Sequence, residues 1–300
     1  MYSQEETILA ILKFYQQVIL HPYLPSSALI TPPPTGWPTI TEPTPTKNPT
    51  VLSLLHSLPY LISEMSSDRI CIHYETIAID YSSGSGSTGG STSFAEDVYP
   101  LPDHCVYLTR SVDREGIALI LNTDDGTITH MGCGSYLQIP FEEYDALPLE
   151  EQWKAYEKIP VKELFENWTK RYEMLAWMLV PNPIGEPTSG TFIARANSPA
   201  GENALLERSE WQPWGYDPLG EGQSEAYSRQ CKLAANVYNT YLNYGWPDRF
   251  NKEARRAALL ELGRKKAKDE RTMMDELFPD PPGMFDSDDR VGETEEEGRA

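Results

Sequence analysis

The chain has 300 residues, enough for one large domain or two small ones, and its 40% apolar and 11% aromatic content supports a sizeable folded core. Its formal charge is −20; residues 269–300 carry −9 of it through twelve acids against three bases, which leaves the body at −11. Such a surface repels phosphate backbones and anionic membranes, so neither nucleic acid nor a membrane is an expected partner.

The first element is a helix with Ser3 as N-cap and Glu6 completing a capping box. Ile8, Ile11, Leu12, Tyr15, Val18 and Ile19 share one face, and Pro22 stops the helix. Acids stand where a signal peptide needs bases, and Lys13 interrupts the apolar run. No run of about eighteen apolar residues follows, so no membrane span is expected. Residues 25–50 are rich in Pro, Thr and Ser and read as an extended connector, with Trp37 pinning it to the body and a proline-recognition ligand as the alternative.

Val51–Met65 reads as a second helix with a Leu52, Leu55 and Leu58 stripe, which Pro59 kinks or divides. In residues 69–82 the alternation of Ile70, Ile72 and Tyr74 changes phase to Ile77, Ile79 and Tyr81, which implies a bulge or turn at Glu75-Thr76. The Gly/Ser stretch of residues 83–95 is a flexible loop; it lacks the lysine of a phosphate-binding loop. A strand at His104–Thr109 leads into the stretch around which the chain is organised, GIALILNTDDGTITHMG at Gly116–Gly132. Two apolar runs flank Asp125-Gly126, a dipeptide suited to a type I′ hairpin turn. Ile117, Leu119 and Leu121 lie on one face of the outgoing strand and Ala118 and Ile120 on the other, the pattern of a central strand covered on both sides.

Tyr136–Pro140 adds a short strand, Phe141–Leu149 reads as an acidic connector, and Glu150–Lys158 as a short helix. Val161–Val180 is the clearest helix, with Val161, Leu164, Phe165, Trp168, Tyr172, Leu175 and Leu179 on one stripe and Lys162, Glu163, Glu166, Lys170 and Glu173 opposite. Residues 182–223 read as a long loop anchored by Trp211, Trp214 and Tyr216. Ser224–Tyr244 is helical, with Tyr227, Cys231, Ala234, Ala235, Tyr238 and Leu242 on one face and a stop at Gly245-Trp246-Pro247. A separate charged helix covers 252–275, followed by a disordered acidic tail, 277–300.

Chemistry-bearing motifs are sparse. The four cysteines, Cys71, Cys105, Cys133 and Cys231, form no C-x-x-C pair; zinc is not expected, and buried reduced thiols in an intracellular protein are. Asn122, Asp124 and Asp125 resemble part of a calcium loop, but Gly132 stands where the pattern needs Glu, and turn chemistry accounts for the acids. His104 and Cys105, as neighbours on a strand, point to opposite faces and cannot pair. The basic residues Arg255, Arg256, Arg264, Lys265, Lys266, Lys268 and Arg271 are interleaved with acids, as on a solvated helix; the alternative is a nuclear localisation patch.

A helical region, a strand cluster, a hairpin of the form Gly–apolar strand–Asp-Asp-Gly–strand, and a helix carrying Phe165, Glu166 and Trp168 follow one another. Over roughly residues 50–180 this order resembles the SMI1/KNR4, or SUKH, superfamily. The resemblance implies a single mixed or antiparallel sheet packed by helices. Its members are chiefly protein-binding: bacterial toxin-immunity proteins and fungal regulators of cell-wall synthesis and signalling, with no catalytic residues in common.

The expectation is therefore an α+β domain over residues 1–250, then a charged helix and an acidic tail. Its function is expected to be non-enzymatic protein binding, regulatory, in the cytoplasm or nucleus. No catalytic residue, cofactor or metal ligand is assigned. Trp211, Trp214, Tyr216, Phe278 and Phe285 are the partner-binding candidates. An enzyme, or a small-molecule or peptide binder with a cleft near Trp211–Tyr216, is the alternative.

Overall fold

Ser3 caps α1 (Gln4–Leu20) by accepting the Glu6 N–H at 3.3 Å. In the computed structural model, which describes residues 2–40, 47–62, 69–82, 100–132, 135, 137–182, 188–196, 198–207, 210–214 and 225–277, the buried face of α1 holds Ile11, Phe14, Tyr15 and Val18. It is turned toward Phe14 and away from Leu12, because the Phe14 ring meets Phe165, Trp168 and Tyr172 at 5.3, 5.7 and 6.0 Å. Strands β1 (Leu29–Ile30) and β2 (Tyr60–Leu61) pair antiparallel. Between them Trp37 pins the Pro-rich stretch as expected: its Nε1 donates to the Leu58 carbonyl at 2.8 Å and its backbone N–H to His56 at 3.1 Å.

The second helix is shorter than its apolar run. α2 spans Pro49–Ser57, capped by Asn48, and Leu58 is already extended, because a residue before proline is pushed out of the helical region. Leu58-Pro59 thus ends the helix, and Tyr60–Leu61 beyond it form β2; residues 63–65 of the expected helix lie outside the described residues. The phase flip at Glu75 is a turn: β3 (Cys71–His73) and β4 (Thr76–Ala78) form a hairpin with Glu75 at φ 46°. The Gly/Ser loop of residues 83–95 lies outside the described residues.

The α+β class holds, with antiparallel pairing throughout the named strands. Where a single sheet was expected, the described strands divide into sheets of two, two, three and four. The division has a local cause. β5 (Cys105–Tyr107) and β6 (Thr109–Ser111) are one run broken at Leu108; the first half pairs with β7 (Ile117–Asn122) and the second with β4. Thr109 ties the sheets together, its hydroxyl donating to the Ile117 carbonyl at 3.0 Å and accepting the Leu119 N–H at 2.9 Å.

β7 pairs along its whole length with β8 (Thr127–Gly132). Only Gly126 of the intervening loop has positive φ, 75°, so the expected type I′ turn is replaced by a four-residue loop, with Asn122 and Thr127 paired across it. Asn122 and Asp125 accept backbone N–H groups from Asp124 and Thr127 at 2.8 and 3.0 Å, so both side chains serve the turn. Both faces of β7 are buried, as read. Ile117, Leu119 and Leu121 enter the main core with α1, α2 and α5 (Val161–Glu173), while Ala118 and Ile120 enter a second core with Cys105, Tyr107, Met131 and Trp153.

After β8 the expected acidic connector is ordered as α3 (Phe141–Asp145), and Glu150–Lys158 holds only α4 (Leu149–Gln152) and a single 3-10 turn at Trp153–Ala155. β9 (Lys158–Pro160) then adds to β8. Pro140 and Pro148 each precede a helix, a position where their fixed φ is tolerated.

α5 buries the expected stripe from Val161 to Tyr172 but stops at Glu173; Leu175 turns at φ 51° and the chain continues as β10 (Trp177–Pro181). Residues 175–180 are apolar at every position, a pattern shared by a buried helix and a strand covered on both faces. Pairing with β11 (Gly190–Ala194) decides for the strand. The expected loop of 182–223 therefore contains β11 and also α6 (Pro199–Leu206), capped by Ser198.

α7 (Glu225–Asn243) buries Ala234, Ala235, Val237, Tyr238 and Tyr241. Gly245, at φ 89°, ends it; a Cβ there would lie 2.4 Å from the Arg249 carbonyl oxygen. The chain forms two compact units, Met1–Leu260 and Glu261–Ala300, and α8 (Lys252–Leu277) contributes to both. The first turns of α8 belong to the body, where Arg255 and Leu259 are buried. In the second unit Arg264 pairs with Glu261 at 3.4 Å. The acidic tail beyond Leu277 lies outside the described residues.

Candidate interaction surface

The segment from Leu137 to Pro160 leaves the sheet after β8 and returns as β9. Its sequence, LQIPFEEYDALPLEEQWKAYEKIP, holds six acids and two lysines. Trp153 is its anchor: the indole is 1% exposed in the second core, and its Nε1 donates to the Glu150 carbonyl at 2.9 Å. The Lys158 ammonium lies 5.7 Å above the same ring. Leu137 bridges Tyr156, and the Gln138 N–H donates to Ala155 at 2.7 Å, closing the segment into a cap.

A row of rings runs outward across this cap. Tyr156 packs against the second core, its ring sits edge-on to Tyr144 at 6.0 Å, and Tyr144 faces Phe141 at 6.1 Å. Phe141 is 65% exposed, the most exposed of the large apolar side chains among the described residues, and Leu149 is 44% exposed. Exposed aromatic surface held on a fixed frame is a feature of binding sites. Nothing in the periodicity singled it out; the usable signal was two large apolar residues, Phe141 and Leu149, inside an acidic window between prolines.

The five sequence candidates fall elsewhere. Trp211 and Trp214 are half-buried. The Trp214 backbone N–H donates to Asn239 Oδ1 at 2.7 Å and its carbonyl accepts from Asn239 Nδ2 at 2.8 Å, which fastens residues 211–214 to α7. Arg195 covers the Trp214 and Tyr238 rings at 5.4 and 3.7 Å. Tyr216, Phe278 and Phe285 lie outside the described residues.

The described titratable groups of the interior are arranged for packing. Burial pushes the Cys71 and Cys105 thiols up to about 12. Burial pushes His73 down to about 3, with its ring stacked on Trp168 at 5.0 Å and edge-on to Trp177 at 4.7 Å. His21, fully buried, is held well below the ordinary imidazole range by burial and by Arg255. Arg255 is itself buried over the Tyr241 ring; its Nη2 donates to the Val237 carbonyl at 3.4 Å, and Nε and Nη1 have no partner among the described residues. Burial lowers that guanidinium to about 9. Among the described residues no group of His, Cys, Asp or Glu could hold a metal ion, and no helix is long and apolar enough to cross a membrane.

No protein-family model, curated protein or solved structure matches this chain.

Proposed function

We propose that this chain is a non-enzymatic protein-interaction module with a regulatory role, and that it engages its partner through the 137–160 cap. The single observation behind this reading is Phe141, 65% exposed on a segment whose Trp153 is buried. A ring on a fixed frame needs little ordering when a partner covers it. The element order that resembles SMI1/KNR4 proteins adds the expectation of regulatory protein binding, with cell-wall or stress signalling as its setting and the cytoplasm or nucleus as its location.

The test is site-specific photo-crosslinking in the native cell. A photoreactive amino acid replaces Phe141 in one variant and Lys170, on the exposed face of α5, in another. A discrete protein adduct from position 141 and none from position 170 is expected. Adducts absent from position 141, or identical from both, would refute the reading.

A further inference from the structure

Phe141, Tyr144 and Leu149 stand among acids most of which make no ion pair among the described residues. Among the described residues Glu151 is held by Lys154 at 3.1 Å, whereas Glu142, Glu143, Asp145 and Glu150 make no ion pair. Glu142, Glu143 and Asp145 share the single helix α3 with the exposed Phe141 ring, so any occupant that covers the ring comes within reach of their carboxylates.

From this arrangement we propose, resting on the function argued above, that the cap takes a lysine- or arginine-rich segment of a partner protein that also carries large apolar side chains. The apolar side chains cover Phe141, Tyr144 and Leu149, and the basic ones meet the free carboxylates. Charge selects this occupant over the others. The cap holds six acids against two bases, on a chain of net charge −20. An anionic membrane, a nucleic acid and an acidic protein are all repelled, and so is a second copy of this chain. A purely basic segment satisfies the carboxylates and leaves the ring row wet. A long cationic side chain suits both parts, because its hydrocarbon stem lies along apolar surface while its head reaches the rim.

The experiment uses the full chain and three synthetic peptides of equal length, read by fluorescence anisotropy. One alternates Lys and Leu on an amphipathic helix, one replaces each Lys by Glu, and one replaces each Leu by Ser. The Lys/Leu peptide is expected to bind. Its affinity should fall by about tenfold or more in Phe141→Ser, the size of change that loss of a central aromatic contact brings. It should fall also in the double variant Glu142→Gln, Glu143→Gln, and on raising salt from about 0.1 M to about 1 M, which shortens the screening length from ~10 to ~3 Å. All three substituted side chains are exposed, so the variants should melt with the wild type. Failure of the Lys/Leu peptide to bind overturns the proposal. So do equal binding by the Glu/Leu peptide, equal binding by the Lys/Ser peptide, and full binding to Phe141→Ser. A dimer in sedimentation that Phe141→Ser dissolves also overturns it, since a second copy then covers the ring. Crosslinking from position 141 to a partner without a basic segment would overturn this inference and leave the protein-binding function standing.

Discussion

Adjacent residues on an ordinary half-exposed strand differ sharply in what their truncation costs; on β7 they should not. Leu119 and Ile120 are both 0% exposed, Leu119 in the main core and Ile120 in the second core with Trp153. Leu119→Ala and Ile120→Ala each remove buried methyl groups and leave a cavity. Each should cost about 2–5 kcal/mol, the sum of the lost transfer free energy and the void. Against a total stability of about 5–15 kcal/mol, either loss is a large fraction. Urea unfolding followed by tryptophan fluorescence measures both, with an unchanged slope showing that the change is in stability alone. If either variant stayed within about 0.5 kcal/mol of wild type, that face of β7 would be open and the two-core arrangement wrong.

Trp168→Ala should cost about 3–5 kcal/mol, because Trp168 packs between Phe14, Phe165 and Trp177; a melt unchanged from wild type would place it at the surface. Stability should fall with acid, and the sign follows from His73: its folded pKa is depressed to about 3, so between an unfolded value near 6.5 and that point the unfolded chain binds the extra proton. Stability is thus full above pH ~6.5 and drops by up to ~1.4 kcal/mol per pH unit per such histidine below it, a slope that His73→Phe should reduce in denaturation curves taken at pH 7 and pH 5. Arg255→Met should melt at or above the wild-type temperature, since an apolar side chain of similar length replaces a buried cation that has no carboxylate partner among the described residues, whereas Arg255→Ala should melt lower because it leaves a hole; a strong loss in Arg255→Met would show that the charge itself is needed.

The elements that could be read from the chain are those whose signal is local. The β7–β8 hairpin carries its own turn residues, and the stripe of α5 repeats over three turns before it meets anything ambiguous. Beyond Glu173 the same stripe continues through Leu175 and Leu179 by coincidence of spacing, and only the pairing of Trp177–Pro181 with Gly190–Ala194 makes it a strand. That pairing closes across residues 182–189, and β11 carries little signal of its own because it lies in a stretch rich in glycine and proline. Arg255 shows the same limit. In a helix full of charges it looks solvated, and what buries it is Tyr241, fourteen residues upstream on another helix. The cap shows a related limit: the acids of Phe141–Leu149 read as an acidic connector, while the anchor of the segment, Trp153, shares the second core with residues of β5, β7 and β8.

The second core connects the fold to the proposed function. A single apolar face on β7 would suffice to pack α1, α2 and α5. Ala118 and Ile120 on the opposite face are buried as well, in the second core that also holds Trp153. Trp153 in turn holds Tyr156, Tyr144 and Phe141 in line through the short elements α3 and α4, which are too short to be stable alone. The order of the cap therefore derives from the sheet and not from its own helices. A partner that covers Phe141 meets a surface already in place, and the conformational entropy of fixing it was met when the body folded.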